Sequence, residues 1–404
     1  MDEVALESAA EHERKCAELA AQGSCLATTL RLVFEAYANR PCLGLVLGEW
    51  VSYQQVFSRA LHFAACLVQA LPRGSHVAIL GRNSIDFIAA DLGVLISGNV
   101  SVIMQETSDT SWIEEQLEMC HAVFADVKYS SVCGPKLLMP LCEAWTGPGS
   151  GVCSADLIYE TCNPNERRTI VLTSGTNGRS KGLVLHDEWF NNFIKNPWPY
   201  SPLVNILGFM PFSHQTGRMM AFTMFFNGGC GFIHKSGGTL EQLFEELQVV
   251  QPTMMVSAPR LYDFLVSEHT RERQIIGDQA ANEKYRRVFG ERMQCICTGG
   301  AQTSEATLEW LRRYFVSLVC VCWLFLLISC YLICRCQNVS LGSRCRRLRG
   351  VRVRSDCNQL CACVQRAQTG AGGGIQSGGG LWRAPGQDPD HGGWIRGRRE
   401  GFTL

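Results

Sequence analysis

The chain has 404 residues with 37 basic and 37 acidic side chains, and it is 46% hydrophobic and 18% charged. That composition excludes a wholly disordered chain, a collagen-like fibre and a multi-span membrane protein, and the length is enough to bury more than one core. The zero net charge joins two opposed regions: residues 335–404 carry 12 basic and 4 acidic side chains, leaving 25 and 33 for residues 1–334.

Cysteine is over-used, at 21 residues. The chain is far longer than a disulfide scaffold, and its start, MDEVALESAAEHERKC, has no cationic n-region or apolar h-region. Cysteines such as Cys66, set in apolar runs, are therefore expected to be small core residues of a body kept in the reducing cytoplasm. The late cluster Cys357-x3-Cys361-x-Cys363 lacks paired zinc-ligand spacing and a nearby histidine, so no metal site is expected there.

Residues 1–29 read as a polar lead-in, helical over 1–22. From about residue 30, β-branched runs alternate with helical patterns. Val77–Leu80 reads as a strand, Ser84 or Asn83 as a cap, Ile85–Ile96 as a helix and 99–103 as the next strand. Ser111-x-x-Glu114 reads as a capping box for a helix reaching Cys120, and Ala122–Ala125 as a strand. Residues 128–166 show no period and read as loop. Thr169–Leu172 is a predicted strand, a Gly/Ser/Thr loop runs to Gly182, and Asp187 is placed to cap a helix from Glu188. Val204–Met210, Gly231–His234, Thr253–Val256 and Gln294–Cys297 are further predicted strands. Helices are predicted over Gly217–Phe226, from the Thr239-x-x-Gln242 box to Val250, and from Pro259. Strands alternating with long helices imply an α/β fold of parallel sheets covered on both faces, with ligands in the loops at the carboxyl ends of the strands.

Residues 315–334 are 20 uncharged residues, FVSLVCVCWLFLLISCYLIC, long enough to span a bilayer. A membrane helix here would anchor the cytoplasmic body. The arginines that follow would then hold the tail in the cytosol and place the body across the membrane, in conflict with its cysteine content. A buried helix, or sequence foreign to the fold, reads the same way. Residues 335–404 hold 14 glycines and few aliphatics, and are expected to be disordered; without interleaved aromatics their arginines suggest no nucleic-acid function.

The sharpest signal is Thr173-Ser-Gly-Thr-Asn-Gly-Arg-Ser-Lys-Gly182, directly after a predicted strand. Its glycines bring backbone N–H groups to a phosphate, its hydroxyls donate more hydrogen bonds, and Lys181 supplies a positive charge. It is not a Walker loop, because Ser180 precedes Lys181 and Gly182 follows it. A plain surface loop with one lysine shares this composition.

These residues resemble the phosphate-binding signature of the adenylate-forming (AMP-dependent synthetase/ligase) superfamily. The likeness extends over roughly residues 30–314: Trp50-Val-Ser-Tyr53 with Arg59-Ala60, Val77–Leu80 with Asn83, Ala90-Asp-Leu-Gly93, Val100-Ser-Val102, Met210-Pro-Phe-Ser-His214 with Gly217-Arg218, Gln251-Pro-Thr253 with Pro259-Arg260, and Thr298-Gly-Gly-Ala301. It is similar to the branch of long-chain acyl-CoA synthetases and carboxylic acid reductase adenylation domains, with Gln105–Ser108 leaning toward the reductases.

The resemblance implies that a carboxylic, chiefly fatty, acid attacks ATP to give acyl-AMP, which a thiol such as coenzyme A then receives, with Mg2+ on the polyphosphate. By the same resemblance Thr173, Ser174, Gly175, Thr176, Gly178 and Lys181 hold the β- and γ-phosphates. His214 stands beside the acyl pocket, and Gly299, Gly300 and Ala301 line the acyl and adenine site. His214 also reads as a helix cap, and Gly299-Gly300 as a simple turn. After Ala301 the family's magnesium, ribose and catalytic-lysine motifs are not found, and residues 315–404 contain no lysine. The expectation is the large N-terminal part of such an enzyme, its small C-terminal lid domain missing, with weak or no activity. The other reading is a non-catalytic nucleotide- or acyl-binding module anchored to a membrane through 315–334.

Overall fold

The computed structural model describes residues 9–321 except 24, 47, 49, 108, 142–156, 161–162, 164, 174–180, 196–203, 207, 235–238, 299–300 and 315–317. The chain divides into two units, Met1–Leu327 with Phe402–Leu404, and Ile328–Gly401; every described residue belongs to the first.

Helix α1 (Ala9–Gln22) buries His12, Cys16 and Leu19, spaced by four and three residues on one face. The expected polar lead-in is thus half core. After α2 (Leu26–Ala36), β1 (Pro41–Leu45) pairs antiparallel with β2 (Trp50–Ser52), and a capping box of Ser52 and Gln55 opens α3 (Tyr53–Ala70). The predicted order then holds through β3 (His76–Leu80), α4 (Ile85–Ile96, capped by Ser84), β4 (Val100–Met104), α5 (Thr110–Leu117) and β5 (Ala122–Asp126). The cap of α5 needs correction. Asp109 accepts the Trp112 N–H at 3.0 Å, and Ser111, the expected cap, donates its hydroxyl to Asp109. The carboxylate, one residue before the helix, is the stronger acceptor for the unpaired N–H groups.

The stretch expected to be loop contains a short helix, α6 (Ser130–Cys133), and β6 (Leu137–Leu141). Next come β7 (Arg167–Thr173), β8 (Lys181–His186) and α7 (Asp187–Lys195). The following strand, β9 (Val204–Ile206), stops four residues short of the expected Met210. At Gly208 the chain passes so close to the β10 end that a Cβ would lie 1.8 Å from the His234 backbone nitrogen, leaving no room for a side chain. Then follow α8 (Gln215–Phe226), β10 (Cys230–Ile233), α9 (Leu240–Val250, with the predicted Thr239/Gln242 capping box), β11 (Met254–Ser257), α10 (Pro259–Ile276), α11 (Asp278–Phe289), β12 (Cys295–Thr298), α12 (Glu305–Tyr314) and β13 (Leu318–Val321).

Among the described residues three sheets form, in the orders β6-β5-β3-β4-β7-β8, β2-β1-β10-β9 and β11-β12-β13. All pairings are parallel except β1–β2 and β7–β8. The six-stranded sheet is covered on both faces: Val102, Met104 and Val123 pack with Ile113 and Leu117 of α5, while Phe124 meets Phe63 of α3 at 5.0 Å on the other side. This is the expected α/β class of parallel sheets flanked by helices. Thr253 stitches the second and third sheets together, its N–H donating to Val204 O at 3.0 Å and its Oγ1 accepting the Val204 N–H at 3.0 Å. Helices α3 and α4 cross closely at Gly93, where a Cβ would lie 2.7 Å from Ala60 O.

The expected membrane helix over 315–334 is corrected where it can be seen. Leu318–Val321 is a strand whose residues pair in register with Cys295–Thr298, and among the described residues no helix is long and apolar enough to cross a membrane. A short uncharged run of Val, Leu and Cys has no period that separates a helix from a strand in a parallel sheet. The rest of that run, and the tail 335–404, lie outside the described residues. Among the described residues nine cysteines are free thiols, seven of them buried as expected of core residues, while Cys66 and Cys230 are half-buried.

Candidate functional site

The glycine-rich segment connects two antiparallel strands. Thr173 ends β7, Lys181 begins β8, and the two are antiparallel partners, followed inward by Leu172 with Gly182. Lys181 thus has its backbone fixed at the mouth of a seven-residue connection, where the sequence suggested it lay inside the loop. Ser174, Gly175, Thr176 and Gly178 fall outside the described residues.

The base of that strand pair is built from buried charge. Arg168 is fully buried and forms a two-pronged pair with Asp187, its Nη2 donating to Oδ2 at 3.3 Å and its Nε to Oδ1, with Glu166 at 3.6 Å. Asp187 therefore spends its carboxylate on Arg168 at the start of α7. Next along β7, Thr169 accepts a 2.8 Å hydrogen bond from Arg218 Nη2, and Arg218 Nη1 lies 2.6 Å from Asp91, both side chains fully buried. Asp91 also accepts the Ser101 hydroxyl at 2.5 Å. Burial lowers the Arg218 pKa against the pull of Asp91, but the guanidinium stays charged. The rings of Phe190, Phe212 and Phe222 surround it at 5.2–5.6 Å. One network thus joins α4, β4, β7 and α8 roughly 13 Å, four strand residues, below the loop.

His214 lies on the loop that follows β9. Asn83, after β3, holds that loop: its Nδ2 donates to Met210 O at 2.8 Å and its Oδ1 accepts the Phe212 N–H at 2.8 Å. Gly217 lets the loop fold back on α8, since a Cβ there would lie 2.3 Å from Pro211 O. His214 itself caps α8, Nδ1 accepting the Thr216 N–H at 3.2 Å. A neutral His214 therefore carries its proton on Nε2. Solvent reaches the ring, yet the protein around it removes enough water to lower its pKa below the ordinary histidine value.

At the carboxyl end of β12, Ala301 is exposed, and Gly299 and Gly300 lie outside the described residues. The strand end is held by a 2.8 Å hydrogen bond between the Thr298 and Thr303 hydroxyls, and by Tyr262 donating to Cys297 O at 3.0 Å. Sequence reasoning named Thr298 only as part of a motif, and had no signal for Arg168 or Thr303. Asn99, which begins a glycosylation triplet, is buried and bonded internally to Ser75 N and Ser97 Oγ.

The predicted motifs meet in pairs across this frame: Ala60 with Gly93, Asp91 with Arg218, and Asn83 with Met210 and Phe212. A family model for the AMP-binding enzyme matches residues 31–323. The chain belongs to the AMP-binding enzyme family.

This member is 25% identical over 362 residues to a carboxylic acid reductase of Mycobacterium tuberculosis, a match covering 72% of this chain and 31% of the reductase. It is 28% identical over 251 residues to the long-chain-fatty-acid–CoA ligase FadD15 of Mycobacterium bovis, covering 54% of this chain and 41% of the ligase. The AMP-binding chain thus spans about a third to two fifths of these relatives' length. Its fold matches the adenylation domain of a carboxylic acid reductase from Segniliparus rugosus, solved in complex with AMP and a co-purified carboxylic acid. The TM-score is 0.61 at 18% identity, over 76% of this chain and 62% of that one. The corresponding domain from Mycobacterium chelonae gives a TM-score of 0.61 at 20% identity, over 77% and 62%.

Proposed function

We propose that this chain binds ATP with its glycine-rich hairpin and activates a carboxylic acid, chiefly a fatty acid, as acyl-AMP. A carboxylate oxygen attacks the α-phosphorus, the bond to the bridging oxygen of the β-phosphate breaks, and pyrophosphate leaves. The observation that carries the reading is the seven-residue Gly/Ser/Thr connection closed by Thr173 and Lys181 at the carboxyl end of β7, in a chain of this family. Such chemistry asks the protein to position a polyphosphate and neutralise its growing charge more than to supply a nucleophile.

In this reading Thr173, Ser174, Gly175, Thr176, Gly178 and Lys181 receive the β- and γ-phosphates. Magnesium, when bound with ATP, would help Lys181 neutralise the charge of the polyphosphate. His214, with its proton on Nε2, faces the acid, and Gly299, Gly300 and Ala301 line the acyl and adenine pocket. Coenzyme A is the thiol that takes the acyl group.

The test is pyrophosphate release by the purified full chain with ATP, magnesium and acids from short to long, beside Lys181→Ala. The last lysine in the sequence is Lys284, so turnover of the chain by itself is expected to be slow, and Lys181→Ala is expected to abolish it. Turnover indifferent to Lys181→Ala overturns the assignment of the loop. Binding of an acyl-adenylate analogue with no pyrophosphate release favours a nucleotide- and acyl-binding module over a ligase.

A further inference from the structure

Asn205 is the middle residue of β9, one residue before the strand's carboxyl end, and is 1% exposed. Among the described residues neither its Oδ1 nor its Nδ2 has a hydrogen-bond partner. Buried amides almost always find partners, so both ends of one left open is a departure that calls for a reason. Its neighbours Val204 and Ile206 belong to the core cluster of Phe232, Leu243, Met255 and Ile296, so strand alternation turns Asn205 to the opposite face. On that face its in-register neighbour on β10 is Gly231, which has no side chain to reach the amide. Two residues beyond the strand end begins the loop at Gly208 that Asn83 holds and that carries His214.

We infer that Asn205 is a specificity-determining residue: its amide reads a polar group on the acyl part of the acid, and the preferred substrate is a hydroxyl- or carboxamide-bearing acid and not a plain hydrocarbon one. This rests on the proposed acyl-activating function. An amide both donates and accepts. A hydroxyl can engage either end and a carboxamide both, whereas a methylene leaves both open inside the protein. A site built to hydrogen-bond a substrate group discriminates strongly against the analogue that lacks it, because its own polar atoms are then stranded. A purely apolar wall discriminates far less.

The experiment measures the affinity of the full chain, by calorimetry, for two acyl sulfamoyl adenosines of equal chain length, one with a plain acyl chain and one hydroxylated along it at a series of positions. Wild type is expected to bind at least one hydroxylated analogue ten-fold or more tighter than the plain one. Asn205→Leu, close in volume, is expected to lose that preference and bind the plain analogue at least as well. Asn205→Ser, which keeps a short polar group, is expected to retain part of the preference and guards against a Leu variant that fails to fold; thermal melting without ligand checks both. Equal affinities in wild type, or a preference unchanged by both substitutions, overturns the role of Asn205 alone. Failure of every analogue to bind the folded wild-type chain overturns the acyl-activating reading together with it.

Discussion

The frame beneath the glycine-rich hairpin and the helical pair α10–α11 both carry ion pairs, but they use them in opposite ways. Around β7, Arg168 with Asp187 and Arg218 with Asp91 are buried among aromatic rings and strands. On α10 and α11, Arg273 with Asp278, Lys284 with Glu272 and Arg287 with Glu283 lie at the surface. Water screens the second set and competes for each charge, so exposed pairs contribute little. The first set has lost its hydration and depends on its partners, so removing one partner leaves a bare buried charge. Charge pairs on α10–α11 decorate a fold that apolar burial already holds; those around β7 fix where four elements meet beneath the proposed phosphate site.

The largest test of that contrast is Asp91→Ala, which strands Arg218. A loss of roughly 3–5 kcal/mol in urea unfolding is expected, and a cost no greater than that of a surface variant would erase the distinction. Gly217→Ala probes the loop that the same frame supports, by driving a Cβ into the Pro211 backbone. Overpacking there is expected to cost about 1–3 kcal/mol and to weaken acyl-adenylate analogue binding, seen by melting with and without the analogue. Thr239→Ala removes the cap of α9, which packs on α11, at an expected cost of about 1 kcal/mol. Glu283→Ala, on the surface set, is expected to leave the melting temperature unchanged within error.

A small pH dependence is expected at His214. Its folded pKa lies below the ordinary value of 6.5, so between the two the unfolded chain binds more protons than the folded one. Its contribution to stability is then complete above about pH 6.5 and declines as pH falls from there toward the lowered folded value. His214→Asn keeps a capping side chain without the titration. It is expected to flatten the fall in urea midpoint between pH 6.5 and 5; identical slopes in both proteins would remove His214 as the cause.

Much of the chain order was legible because its signals are local. Ser84 and the Thr239/Gln242 box announce their helices, and the apolar run of α4 fixes both its ends. Where two local acceptors compete, the pattern misleads: Asp109 outbid Ser111, and the four residues Leu318–Val321 suited a strand as well as the predicted membrane helix. In the candidate site, the loop composition pointed to Thr173 and Lys181, but their pairing across a hairpin was hidden, since Gly182 is a weak strand former and carries no period.

The sequence by itself determined the alternation of strands and helices, the glycine-rich loop and the family signature, because caps, turns and apolar periods act over a few residues. Tertiary structure alone decided that Asp91 would neutralise Arg218 across 127 residues of chain, that Asn83 would hold the loop bearing His214, and that Asn205 would be buried with both ends of its amide open. A charge or an amide finds its partner, or fails to, only once distant strands have excluded the water that otherwise satisfies it.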